Sequence, residues 1–136
     1  MTEKELYRYL KAKAKEERLR EEVKALESVV YAPPCPPLSP VPPSHGCGEE
    51  RYVVNAEKLD KLRRALNNAA LSTNVYYLAL ERAEDTLTTT EQCALFDLLY
   101  RKGEDIKRAA SKIGYSLGHT YRIRQAILTL VAPVSA

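Results

Sequence analysis

The sequence predicts an all-α chain: a long antiparallel coiled-coil helical hairpin, followed by a C-terminal three-helix unit containing a helix-turn-helix. Three observations carry this expectation. Seven of the eight prolines fall within Pro33–Pro43. The 20 residues before that stretch and the 50 after its glycine-bearing end contain neither glycine nor proline. The remaining glycines, Gly103, Gly114 and Gly118, all punctuate the C-terminal third. Proline lacks the backbone donor and clashes with the preceding turn, and glycine at a helix end tolerates positive φ, so these two residues mark where helices stop.

The first helix is expected over residues 1–31. Thr2 and Glu5 have the spacing of a capping box. Steps of three and four give Tyr9, Ala12, Glu16, Leu19, Val23, Leu26 and Val30, six of them apolar, on a chain otherwise packed with Lys, Arg and Glu. That is the seam of a coiled coil with a solvated outer face. Residues 32–52 (with PPCPPLSPVPP at their centre) are expected to be an extended, polyproline-like loop. The second helix, over 53–87, repeats the spacing in Leu59, Leu62, Leu66, Ala69, Thr73, Tyr76, Leu80, Ala83 and Leu87. A loop of this length lets the two helices pair as a hairpin, and apolar flank left over predicts a homo-oligomer through the seam.

Residues 88–136 form the remaining unit. Thr88-x-x-Glu91 reads as a second capping box opening a short helix with Leu95, Phe96, Leu98 and Leu99 on its apolar side. Gly103 ends it, Asp105 caps the next helix, Gly114 closes that one, and Ser116 caps the last, which Pro133 stops. A capped helix, a glycine turn and a second capped helix make a helix-turn-helix. Ala110 and Gly114 supply the small residue at the crossing and the residue tolerant of positive φ in the turn. Ala109, Ile113, Tyr115, Thr120 and Ile123 fall on its buried slots.

The net charge of +3 comes from 21 Lys and Arg against 18 Asp and Glu. Its distribution matters more than its size. Asp105 is the last acid, and Lys107, Arg108, Lys112, Arg122 and Arg124 follow it. A balanced body with one basic end predicts an anion-binding surface there.

Within Leu98–Leu128, Tyr100, Gly103, Ala109-Ala110, Ile113-Gly114-Tyr115-Ser116 and His119-Thr120-Tyr121-Arg122 resemble region four of bacterial sigma factors, and more closely the sigma-like phage transcription regulators. The resemblance implies a DNA-binding regulator of phage type acting in the host cytoplasm on double-stranded DNA, with host RNA polymerase as a possible partner. The chain departs from that pattern at Leu117 and Gly118, where polar or charged residues are usual.

In such a motif the second helix enters the major groove with its N-terminal half. Leu117, Gly118, Tyr121, Arg122 and Gln125 are then the outward positions, Tyr121 suits a phosphate or a thymine methyl, and His119 suits a helix cap or a phosphate. Arg122 suits guanine O6/N7 and Gln125 suits adenine. Ser116 and the first amides of that helix suit a phosphate. Lys107, Arg108, Lys112 and Arg124 neutralise the backbone, and about five such contacts give a slope of log K on log salt of roughly −4 to −5.

Other chemistry is weakly signalled. Cys35, His45 and Cys47 are three ligands where structural zinc needs four, so no metal or other cofactor is expected. No nucleophile–base constellation, glycine-rich phosphate loop or motif-placed carboxylate pair is present, so an enzyme is not expected. The P-x-x-P triplets of Pro34–Pro43 suit an aromatic groove or a plain stiff linker. The first 22 residues lack the apolar core of a secretory signal, no run of 18 apolar residues predicts a membrane span, and three cysteines suit a reducing cytosol. Two rival functions fit the same elements: a coiled-coil interaction module that inhibits a host complex, and a DNA-packaging protein of small-terminase type.

Overall fold

The computed structural model describes residues 1–30 and 47–135. All regular elements among them are helical. Helix α1 (Glu3–Leu6) and helix α2 (Arg8–Val30) are separated only at Tyr7, where backbone hydrogen bonds continue from Tyr7 to Glu3 and from Lys11 to Tyr7. The Thr2 amide donates to Glu5 Oε2 at 2.7 Å, the carboxylate half of the expected capping box. Helix α3 spans Cys47–Glu84. It begins inside the segment expected to be loop, because nothing after Gly48 interrupts helical geometry: Glu49 to Tyr52 are all compatible with it. Then follow α4 (Thr90–Phe96), a π-turn (Asp97–Arg101), α5 (Ile106–Ile113) and α6 (Leu117–Val131). No helix among the described residues is long and apolar enough to cross a membrane. Cys35, His45 and the P-x-x-P triplets lie outside the described residues, as does the Cys47 side chain.

The chain divides into two compact units, one of Met1–Ala14 with Ala70–Ala136, the other of Lys15–Ala69. In the second unit Val23 and Leu59 are buried and Leu19, Leu26, Leu62 and Leu66 are half-buried. Arg63 Nη2 meets Glu27 Oε1 at 3.0 Å across the pair. In the first unit Tyr9 packs on Tyr77, ring centroids 5.7 Å apart. The two long helices pair as an all-α helical hairpin.

Other seam positions of α3 are covered within the first unit. Leu80 and Ala83 are buried and Tyr76 is half-buried. What α3 leaves in water is a different stripe: Leu71, Val75 and Leu78 are 64%, 60% and 57% exposed.

The first unit has one core. Leu6, Tyr9, Leu80 and Ala83 from the hairpin close over Leu95, Phe96, Leu99, Tyr100, Ala109, Ile123, Ile127 and Val131. Hairpin side chains and the C-terminal helices thus share one hydrophobic core. Phe96 and Tyr7 both contact the Tyr100 ring, at centroid distances of 5.1 and 5.3 Å in tilted geometry. The Met1 ammonium donates to the carbonyls of Val131, Ala132 and Val134 at 3.2, 2.9 and 2.6 Å. These carbonyls lie at and just beyond the C-terminal end of α6, the negative end of its dipole.

Candidate nucleic-acid interface

The turn between α5 and α6 is built by three residues. Gly114 adopts φ +86°, and its amide and that of Tyr115 both donate to the Ala110 carbonyl, at 2.9 and 3.1 Å. Ser116 Oγ accepts the His119 amide at 3.3 Å and so caps α6. Ala109, Ala110 and Thr120 are buried where the two helices meet. Thr120 occupies a slot that suits Val or Ile because its hydroxyl donates to the Ser116 carbonyl at 2.9 Å, which removes the cost of burying it. Asp105 stands at the N-cap of α5 in extended geometry, but its side chain makes no capping bond.

The cap of α4 lies one residue later than the Thr88–Glu91 pairing. Thr89 Oγ1 accepts the Gln92 amide at 3.2 Å, and Gln92 Oε1 accepts from the amides of Thr88 and Thr89. Glu91 is thereby freed and accepts the Tyr115 hydroxyl. That bond, and then burial, raise the Tyr115 pKa above its usual value. The His119 ring packs edge-on against Tyr115, 4.9 Å between centroids.

The positions expected to face outward do so. Leu117, Gly118, Tyr121, Arg122 and Gln125 are all exposed, as are His119, Lys107, Arg108, Lys112 and Ser116. Ser116 is engaged as a cap, so any phosphate at this helix start is left the first amides of α6.

Folding changes the charge account. The stretch after Asp105 is free of acids in sequence but not in space. Glu104 pairs with Lys112. Glu3 reaches Arg124, whose guanidinium also lies 5.0 Å from the centre of the Tyr121 ring. Lys107, Arg108 and Arg122 make no ion pair among the described residues. Of the five basic residues after Asp105, three are thus without an ion pair among the described residues.

Sequence reasoning missed Glu3 and Glu91 because their partners are set by tertiary packing. The only available signal was that the N-terminal residues carry carboxylates the hairpin seam does not use. Among the described residues no group of three His, Cys, Asp or Glu side chains is placed to hold a metal ion.

No family model matches this chain, and neither a curated protein nor a solved structure matches it.

Proposed function

We infer that this chain is a DNA-binding transcription regulator whose α5–turn–α6 unit docks in the major groove of double-stranded DNA. One observation carries the inference: Lys107, Arg108 and Arg122 stand exposed and, among the described residues, without acidic partners on a helix pair joined by a left-handed glycine turn. Lys107 and Arg108 serve phosphates, Arg122 a guanine edge, and Gln125 an adenine edge. The resemblance of Tyr115-Ser116 and His119-Thr120-Tyr121-Arg122 to sigma region four and the sigma-like phage regulators supports the same reading. The hairpin then serves to contact a partner such as host RNA polymerase or a second copy.

The rival reading, a coiled-coil module that docks on protein, is favoured by the exposed stripe Leu71, Val75 and Leu78. Anisotropy titration against random-sequence duplex at several salt concentrations separates the two. DNA binding with a slope of roughly −3, reduced by about 1 in each of Lys107→Ala and Arg108→Ala, supports the regulator. No salt-dependent binding even at low salt sinks it.

A further inference from the structure

The first turn of α6 presents a surface of a different kind from the cations around it. Leu117 and Tyr121, four residues apart and so on one helix face, are 39% and 40% exposed. Beside this face, about a quarter-turn around the helix from Leu117, Gly118 carries no side chain, and the position a Cβ would take has no atom within 4 Å. The backbone can therefore come closer to a groove floor here than at any ordinary residue. The Tyr121 ring is not a free rotor: the Arg124 guanidinium lies on it, and Glu3 reaches that guanidinium. Less side-chain freedom then remains to be lost on binding.

Leucine can neither donate nor accept a hydrogen bond. Of the groups a base pair displays in the major groove, the thymine 5-methyl is the one an aliphatic side chain can recognise. The charges beside this apolar step match a polyanion, since Arg122 adjoins Tyr121 in sequence and is exposed without an acidic partner. Resting on the DNA-binding reading above, we propose that Leu117 and Tyr121 read thymine methyl groups. The preferred duplex then carries thymine beside the guanine that Arg122 engages, and Gly118 lets the helix approach closely enough for contact.

Removing the methyls tests this directly. A duplex enriched by the protein from a random-sequence pool is resynthesised with deoxyuridine in place of thymidine, and both forms are titrated. Wild-type protein is expected to bind the deoxyuridine form weaker by about fourfold for each methyl buried. Leu117→Ala brings the two forms closer to equal, while Arg122→Ala weakens both and leaves their ratio unchanged. Leu117 is exposed, so its truncation spares the fold. Equal wild-type binding to both forms with the salt slope intact overturns the methyl reading and leaves DNA binding standing. No salt-dependent binding to either form overturns both.

Discussion

Glu3 Oε1 lies 3.8 Å from Arg124 Nη1, so a carboxylate at the start of the chain holds a guanidinium on the candidate recognition helix. Both side chains are partly exposed, and a pair of this kind contributes about 1 kcal/mol or less to stability. Its larger effect is on which cations are free. Glu3→Gln is expected to release Arg124, strengthen binding to random duplex at low salt, and steepen the salt slope by about 1. Anisotropy titrations of the variant and the wild type measure this. An unchanged slope means that Arg124 does not reach a phosphate even when released.

Leu80 and Leu71 lie on the same helix and offer opposite outcomes. Leu80 is buried in the core and Leu71 is largely exposed. Leu80→Ala is expected to cost about 2–5 kcal/mol through lost burial and the cavity left behind. Leu71→Ala is expected to stay within about 0.5 kcal/mol, as exposed substitutions do. Urea denaturation of the two variants checks the pair.

Gly103 and Gly114 both sit at positive φ, +70° and +86°. Alanine at either position takes a left-handed conformation costing about 1–2 kcal/mol. A Cβ on Gly103 would also stand 3.4 Å from both Leu10 methyl carbons, whereas one on Gly114 meets nothing within 4 Å. A 3.4 Å approach is ordinary van der Waals contact, so Gly103→Ala and Gly114→Ala are expected to destabilise by similar amounts, set by the left-handed backbone. Denaturation midpoints of the two variants check this, and a much larger loss at Gly103 would show that the Leu10 side chain cannot accommodate the methyl.

How the sequence specified these features differs from one to the next. The seam positions Leu59 and Leu80 were visible because a period of three and four is a local property of the chain. The glycines were visible because φ is local too. The Thr89–Gln92 cap was missed by one residue, since two overlapping threonines offer two registers and local chemistry does not rank them. Glu3 beside Arg124 was beyond reach, because that contact depends on how the end of the hairpin packs over the C-terminal helices. The same holds for Tyr9, which reads as a seam position of the hairpin and with Leu6 closes the core of the C-terminal unit.

Tyr100 gives an alkaline limit. Its hydroxyl is buried and makes no hydrogen bond among the described residues. Burial first, then Glu3 and Tyr7, raise its pKa above the ordinary 10.0. Tyr7 is raised as well, first by burial and then by Glu3. With the folded pKa above the unfolded one, the unfolded chain loses protons first as pH rises past about 10. The neutral-tyrosine contribution is fully present below that pH and is lost as pH climbs toward the folded value. Tyr100→Phe is expected to leave stability at neutral pH unchanged or slightly higher, because an unpaired buried hydroxyl is removed. It should also flatten the loss above pH 10. Denaturation midpoints across the alkaline range measure both effects, and a steep alkaline loss retained in the variant assigns it to other groups.

The first three residues hold helix α6 at two places, through the Met1 ammonium at its C-terminal carbonyls and through Glu3 at Arg124. Free-energy coupling between two events is reciprocal. Under the proposed function, Arg124 captured by a DNA phosphate gives up its Glu3 contact, and loosening that contact makes Arg124 more available by the same factor. Amide exchange at residues 3–6 thus becomes a reporter of what the distant end of the chain has bound.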